Sequence, residues 1–472
     1  MSSGPGESAV DFLIQAAPIS QNITGGHYDI VSWEPRGLGQ SIPAANCTNS
    51  TSPSISYHKL LVRGNGSDFE ERSFAEAVQE HATIVGHECK ATIAGPTDAA
   101  PHMTTKVVVQ DMISILDAYA KTPEGKLVED PMHLNYWGFS YGTIIGQTFA
   151  SMHPYRINRV VLDGVVDADD YTNVKMETWL LDADVTFTSF FVYCHLAGSE
   201  ACPYYIGNSA GDIFSRFERT VARLDAKTAR AQSWENATLI ESTLTGLKVI
   251  AFRFMYVPLG SFSDMAEVLV LLETASHNLT MESFSAMHNS VQNSTGEAFG
   301  DTNVAQVAIS CSDNGNKLFN RSLEEVEPIV GKLKSQSWVG GEPLSKNLIA
   351  CTGWGIDGVD RYAGPFGGRT KNPMLFVSNT RDPVTPKING QRAATLFEGS
   401  QSLVTDGTGH TSLAVINVCA LRKIGAYFQN GTMPGCDNFC DQGMGPWNVT
   451  IPGGLEKRGD WNDLQARMKA LR

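Results

Sequence analysis

The fold is decided by residues 133–153, which read HLNYWGFSYGTIIGQTFASMH. The run His133–Trp137 predicts a strand, and Thr143–His153 predicts a helix. Between them, residues 138–142 match G-x-S-x-G, a pattern typical of a strand–turn–helix elbow that presents a serine at the carboxyl end of a parallel sheet. Glycine suits such a strained turn because a side chain would clash there. Ser140 is therefore the candidate nucleophile; the simpler alternative is a glycine turn at the end of a strand.

A serine hydroxyl is a weak nucleophile that needs a base, and the base needs a carboxylate to orient it. His410 lies in GTGHTS, residues 407–412, between a strand predicted at Ser402–Val404 and a helix predicted from about Ser412 to Phe428. Asp382 follows a strand predicted at Pro373–Ser378 and sits on a proline-rigidified turn. The order serine, aspartate, histidine, each after a strand, is the α/β-hydrolase order. Taken alone, Asp382 also fits a turn or helix-cap aspartate.

Acyl transfer also requires backbone N–H groups for the oxyanion. The N–H of Tyr141, directly after the nucleophile, is one candidate donor. The second is expected from a glycine-rich loop, and Gly4, in the sequence Gly-Pro-Gly near the chain start, is the candidate. The alternative for this segment is a frayed terminus.

The chain alternates between strand and helix patterns at both ends and is helical in the middle. Strands are predicted at Tyr28–Trp33 and Val160–Leu162, and an amphipathic helix is predicted at Met103–Lys121. Alternation of this kind implies a mostly parallel, buried sheet. We expect an α/β fold with four parts: a first core region at 1–166, a helical lid at 167–346, a second core region at 347–435, and a tail at 436–472.

Composition excludes several classes of protein. Of 472 residues, 42% are hydrophobic, which is enough for a large core. The formal net charge of −14 argues against nucleic acid as a partner, because phosphate binding needs a basic surface. No apolar run has the length of a membrane span. No His/Cys/Asp cluster has metal-ligand spacing, so neither metal nor cofactor is expected. The oligomeric state stays open.

Ten Asn-x-Ser/Thr sequons and nine cysteines favour a secreted or vacuolar glycoprotein with disulfides. The residues after Met1 have neither the basic start nor the apolar core of a signal peptide. We therefore expect the natural chain to start upstream. Spacing leaves the disulfide connectivity open, and an odd count leaves one thiol without an internal partner. The sequon asparagines are Asn22, Asn46, Asn49, Asn65, Asn236, Asn278, Asn293, Asn320, Asn430 and Asn448.

Several motifs together resemble the tripeptidyl aminopeptidase-like α/β-hydrolases of the proline iminopeptidase group, in their secreted fungal and actinobacterial form. They are the Gly-Pro-Gly opening, YDIVSWEPRGLGQS at 28–41, the elbow, DPVTP at 382–386 and GHTS at 409–412. The resemblance spans nearly the whole chain and implies an α/β-hydrolase fold with a helical lid. By this resemblance we expect the given sequence to lack the family's usual N-terminal region. Ser3, Glu7 and Ala9 stand where the family's loop has glycine.

The resemblance implies Ser140, Asp382 and His410 as nucleophile, acid and base, and Tyr141 and Gly4 as oxyanion donors. It also implies a Cys419–Cys440 disulfide, while Arg36 is interpreted as a structural residue that holds loops around the site.

An exopeptidase needs a carboxylate for the substrate's terminal ammonium, and Glu177, Asp182 and Asp184 at the start of the lid are candidates. The alternative is a solvated helix face. The function implied is a serine hydrolase, an aminopeptidase-like exopeptidase that acts on peptide N-termini through an acyl-enzyme. One alternative is an esterase or lactonase of secondary metabolism acting on a small ester. The other, from a different class, is a non-catalytic or misfolded truncated hydrolase-fold protein.

Overall fold

A computed structural model describes residues 4–45, 47, 74–224, 237–275, 304–451, 454–455 and 458–472. Its centre is a five-stranded sheet in the order β1-β2-β3-β4-β5, and all four pairings are parallel. The strands are β1 Leu134–Phe139, β2 Ile157–Asp163, β3 Leu375–Arg381, β4 Gln401–Thr408 and β5 Phe439–Cys440.

Both faces of the sheet are covered by helices, as a buried parallel sheet requires. Every residue of β3 is buried. On one face, apolar side chains of β1 and β2 pack with α4 (Gly142–Met152), whose Ile144, Ile145 and Phe149 are buried. On the other face, Trp137 and Phe139 pack against α1 (Ala9–Ile23) and α14 (Val418–Asn430). Helix α13 Lys387–Leu396 packs on β3 and β4, and α3 Thr105–Tyr119 packs on α4, whereas α2 Phe74–Thr92 and α15 Trp461–Ala470 pack on helices between β2 and β3.

The described residues between β2 and β3 form helices and loops, which we call the helical insertion. Its centre is a cluster of buried aromatic rings that includes Phe187, Phe190, Phe191 and Phe217. The helices are α5 Ala168–Asn173, α6 Ala183–Ala197, α7 Ala210–Ala222, α8 Ala237–Phe254, α9 Pro258–Ala275, α10 Val304–Asp313, α11 Leu323–Gln336 and α12 Gly341–Ala350.

Two predicted elements differ from the structure. Residues 28–33 have no regular secondary structure and are not a strand of the sheet. Side chains fix this segment instead: the Tyr28 hydroxyl donates to the Phe428 carbonyl at 2.7 Å, and the Ser32 hydroxyl donates to the Ala9 carbonyl at 2.8 Å. The predicted helix after His410 is a short 3₁₀ turn at Ser412–Ala414 followed by α14. Alternation of residue types reveals an extended backbone but does not reveal what pairs with it.

Four disulfides are present, and they join Cys47 to Cys89, Cys194 to Cys202, Cys311 to Cys351, and Cys419 to Cys440. The Cys419–Cys440 bridge implied by the family resemblance is thus confirmed, and Cys436 is free and exposed.

The side chains of four sequon asparagines are described, and all four are exposed: Asn22, Asn320, Asn430 and Asn448. The other six sequons lie outside the described residues. Within the described part of the chain, no helix has the length and apolar character to cross a bilayer.

Candidate active site

Ser140 stands in the turn between β1 and α4 with φ 54°, the left-handed region that a non-glycine residue occupies at a cost of roughly 1–3 kcal/mol. Its N–H donates to the carbonyl of Asp163 at 3.0 Å, and its carbonyl accepts from the N–H of Thr143 at 2.9 Å. A Cβ on Gly138 would stand 2.4 Å from the Tyr136 ring and 2.6 Å from the Gly142 carbonyl. The turn therefore has the strained geometry that the G-x-S-x-G pattern predicts.

His410 and Asp382 are in direct contact. His410 Nδ1 lies 2.9 Å and 3.0 Å from the two carboxylate oxygens of Asp382. The carboxylate also accepts the N–H groups of Val384, Thr385 and Thr411 at 2.9–3.1 Å. Burial opposes ionisation of Asp382, yet the charge and hydrogen bond of His410, with the backbone N–H groups, hold its pKa below the ordinary value. A carboxylate on Nδ1 keeps the proton there and leaves Nε2 as the basic nitrogen.

The ring of His410 lies beside the end of β2, next to the elbow. A Cβ on Gly164 would stand 3.2 Å from His410 Cε1, so the glycine, at φ +66°, makes room for the ring. Nε2 is buried and has no hydrogen-bond partner among the described residues. The preceding residue, Asp163, binds the N–H of Ser140 through its carbonyl. The structure thus brings the three predicted triad residues to the carboxyl ends of β1, β3 and β4, with the Asp382–His410 contact formed.

Asp163 is a further site residue, which the sequence marks only as the residue that follows the predicted strand Val160–Leu162. Its buried carboxylate accepts the Ser412 N–H at 2.8 Å, the Ser412 hydroxyl at 2.5 Å and Trp137 Nε1–H at 3.2 Å. Burial raises its pKa to about 6, against the hydrogen bonds from Ser412 and Trp137. Asp163 therefore ties the loop that carries His410 to the elbow strand. Its position directly before a glycine at a strand end was the available signal.

Tyr256, between α8 and α9, covers His410 from the helical insertion. Its carbonyl accepts the His410 N–H at 2.9 Å, and the two rings meet edge to face with centroids 5.0 Å apart. Arg253 lies over the Tyr256 ring at 5.4 Å. Burial raises the pKa of Tyr256, and the charges of Glu7 and Asp382 add to the rise while Arg253 opposes it. No local sequence pattern distinguishes this tyrosine from the others in the insertion.

Tyr141 is fixed by a buried chain of hydrogen bonds. Thr105 donates its N–H at 2.7 Å and its hydroxyl at 2.6 Å to the carboxylate of Asp313, so the Tyr141 hydroxyl, 2.6 Å away, donates to Thr105. Tyr171 donates to the same carboxylate at 3.0 Å. Burial raises the pKa of Asp313 to about 6. The backbone N–H of Tyr141 has no acceptor among the described residues, which leaves it open to an oxyanion.

Gly4, the other predicted oxyanion donor, already has an acceptor. Its N–H donates to Glu7 Oε2 at 3.0 Å. The loop is anchored by Glu34, which accepts the Ser8 hydroxyl at 2.5 Å and the Ala9 N–H at 3.2 Å. Arg36, two residues after Glu34, forms a bidentate ion pair with Asp111 of α3, and both nitrogen–oxygen distances are 2.7 Å.

The three predicted substrate carboxylates lie in different environments. Asp182 is half-buried and lies within electrostatic reach of Asp382 and Lys387; burial and the charge of Asp382 raise its pKa to about 6, against the effect of Lys387. Glu177 is exposed. Asp184 is buried, and its oxygens accept from Ser337, Trp338 and Val339 and pair with Arg472 at 2.8 Å. Asp184 thus joins the insertion to the C-terminal residue, and we do not carry it forward as a substrate contact.

The described residues place no three His, Cys, Asp or Glu side chains together in a way that could hold a metal ion.

Comparison with known proteins finds one matching family model and several relatives. Residues 337–440 match the family model of the TAP-like proteins. The chain is 26% identical to Serine protease Hip1 of Mycobacterium tuberculosis over 450 residues, covering 91% of this chain and 78% of that protein. Tripeptidyl aminopeptidase of Streptomyces lividans is 22% identical, with 93% and 75% covered. Carboxylesterase B of M. tuberculosis is 23% identical, with 91% and 77% covered.

These matches confirm the predicted resemblance to the tripeptidyl aminopeptidase-like hydrolases, and with the parallel sheet they confirm the α/β-hydrolase fold. The matches also support the prediction that this chain is a serine hydrolase.

Proposed function

We propose that this chain is a serine exopeptidase that removes residues from peptide N-termini. The observation that carries the proposal is the Asp382–His410 pair beside the strained elbow of Ser140, in which Nε2 has no hydrogen-bond partner in the described part of the chain. Two relatives with peptidase names, the serine protease and the tripeptidyl aminopeptidase, favour amide hydrolysis.

In the proposed reaction, His410 Nε2 removes the Ser140 proton as Oγ bonds to the scissile carbonyl carbon. The carbonyl electrons move to oxygen, where the Tyr141 N–H stabilises the charge. The imidazolium then gives its proton to the leaving amine, and the C–N bond breaks to leave an acyl-enzyme. Water, deprotonated by the same nitrogen, releases the acyl group and restores Ser140. Asp382 stabilises the imidazolium throughout and keeps its own negative charge.

An exopeptidase must hold the substrate's terminal ammonium near the triad. Asp182 is the best placed of the predicted carboxylates, because it is half-buried at the start of α6 and within electrostatic reach of Asp382. Glu177, which is exposed, remains a weaker candidate. Secretion is part of the proposal and is supported by the four disulfides and by the exposed sequon asparagines in the described chain.

The test is labelling with a fluorophosphonate probe, followed by kinetics on aminoacyl- and peptidyl-arylamides against simple esters. We expect labelling that Ser140→Ala abolishes, with unchanged circular dichroism, and a higher kcat/KM on the arylamides. A folded chain that is not labelled would refute the active-serine assignment.

The second candidate is an esterase, favoured by the similarity to Carboxylesterase B. Ester and amide hydrolysis use the same triad, so the choice depends on the substrate pocket. Ser140-dependent turnover of simple esters without turnover of any arylamide would select this candidate.

A further inference from the structure

The two residues that flank His410 both have positive φ. Thr411 has φ 69° and Gly409 has φ +125°, in the left-handed region. For a β-branched residue such as threonine this conformation is an outlier, and it persists only where the surrounding contacts enforce it. The position of the His410 ring therefore depends on the groups that hold the backbone on each side of it.

Asn379 of β3 holds this backbone with its side-chain amide. Nδ2 donates to the carbonyl of Gly409 at 2.8 Å and to the carbonyl of Thr411 at 2.7 Å, so one amide bridges the carbonyls on the two sides of His410. Only nitrogen fits this position, because a carbonyl oxygen accepts hydrogen bonds and cannot donate them. The side chain is fully buried, so both hydrogen bonds are shielded from water.

The other end of the same amide shows that packing does not explain an asparagine here. Oδ1 of Asn379 is buried and has no hydrogen-bond partner among the residues that the structure describes. A buried oxygen without a donor destabilises the folded chain. Leucine has nearly the same shape and would fill the position without that cost, whereas only an amide donates two hydrogen bonds to the loop.

Asn379 and the acid of the triad belong to one short segment. Asp382 follows Asn379 by three residues, and its carboxylate contacts His410 Nδ1 and accepts the Thr411 N–H at 3.1 Å. The N–H of Thr411 is thus held by Asp382 and its carbonyl by Asn379. One end of β3 therefore fixes both the imidazole ring and the backbone that carries it.

We propose that Asn379 is a positioning residue, which holds the backbone of His410 so that Nε2 can take the proton of Ser140. The inference rests on the proposed serine hydrolase reaction and applies to peptide and ester substrates alike. Without the two hydrogen bonds, the strained backbone at Thr411 relaxes and the ring moves with it. Displacing a reacting group by about 1 Å can cost about 10²-fold in rate.

The experiment compares wild type with two variants of Asn379. Asn379→Leu keeps the side-chain shape and removes both donors. Asn379→Ser is smaller, and its single hydroxyl proton cannot bridge two carbonyls. We measure the second-order rate constant for labelling of Ser140 by a fluorophosphonate probe, and kcat and KM on the arylamide or arylester that wild type hydrolyses. Urea unfolding fixes a temperature at which each protein is folded, so the rates refer to folded enzyme.

The matched control is Asn372→Leu. Asn372 lies three residues before β3, at the end of the strand opposite to the triad. Its Nδ2 also donates two hydrogen bonds, to the Ile157 carbonyl at 3.2 Å and to Asn158 Oδ1 at 3.3 Å. This variant therefore removes the same number of amide hydrogen bonds without touching the loop of His410.

We expect both Asn379 variants to lower the labelling rate constant and kcat by about 100-fold while KM stays unchanged. Asn372→Leu should keep the wild-type values. A purely structural role would lower the folded fraction and leave the rates of the folded enzyme unchanged. Wild-type labelling by a folded Asn379 variant, or a change in KM alone, overturns the inference and leaves the exopeptidase proposal intact.

The remaining outcomes separate the two proposals. If wild type is labelled but hydrolyses only esters, the exopeptidase proposal fails, and the labelling rates still decide the role of Asn379. If folded wild type is not labelled at Ser140, both proposals fail. If neither Asn379 variant folds, the residue serves stability alone and the inference is overturned.

Discussion

Replacing Asp163 with asparagine tests the buried carboxylate that links the histidine loop to the elbow strand. Asparagine has nearly the same shape but does not titrate in the accessible pH range. Its oxygen can still accept the Ser412 N–H that the carboxylate now accepts at 2.8 Å. Its amide nitrogen would face Trp137 Nε1–H, which only donates, so one buried donor loses its acceptor.

The magnitude follows from linkage between protonation and folding. Burial raises the pKa of Asp163 from an ordinary 3.8 to about 6, so the folded chain holds this proton more tightly than the unfolded chain does. The stability due to this proton is therefore fully present below pH 3.8 and is lost as the pH rises through about 6. The shift corresponds to about 3 kcal/mol of unfolding free energy.

Over the same pH range, the unfolding free energy of Asp163→Asn does not change through this position, because asparagine does not titrate. At pH 4 the variant should be less stable than wild type by about 1–3 kcal/mol, the cost of an unpaired buried donor. At pH 7.5 the ionised carboxylate costs wild type about 3 kcal/mol, so the variant should be as stable as wild type or more stable by up to about 2 kcal/mol.

The assay is urea unfolding of wild type and Asp163→Asn at several pH values from 4 to 7.5, with Asp11→Asn as an exposed-carboxylate control. The difference between wild type and Asp163→Asn should change by about 3 kcal/mol across the range. The control should run parallel to wild type. If the curve for Asp163→Asn ran parallel to that of wild type, the pKa of Asp163 would not be raised in the folded chain, and the reasoning would be refuted.

Three further predictions follow from other contacts. Asp382→Asn should lower kcat by about 10⁴-fold, since the histidine it orients loses its carboxylate; a loss under tenfold would contradict the role. Cys419→Ser with Cys440→Ser should lower the unfolding free energy by about 3 kcal/mol for a bridge with a sequence separation of 21, whereas Cys436→Ser should change it little, as measured in urea. Tyr256→Ala should reduce kcat/KM roughly fivefold by removing a ring contact worth about 1 kcal/mol, and Tyr256→Phe should retain it; equal losses would point to the hydroxyl instead.

The three predicted triad residues share one property: each lies in a local sequence pattern that predicts its position in the fold. Ser140 stands in a glycine-flanked turn between a strand and a helix, and Asp382 and His410 each follow a strand. Because parallel strands end at one edge of the sheet, local order along the chain was enough to expect these side chains together. The same logic fails for residues 28–33, where an extended pattern occurs without a strand in the sheet.

By itself, the sequence determined the α/β-hydrolase fold and placed the three candidate catalytic residues at strand ends. The tertiary structure alone decided what surrounds them: Asp163 beneath the histidine loop and Tyr256 over His410. A strand–turn–helix pattern consists of consecutive residues, whereas the contact between Asp163 and Ser412 joins residues that are 249 positions apart in the chain. Contacts over such separations depend on how the helices pack on the sheet, and no local pattern of residues encodes them.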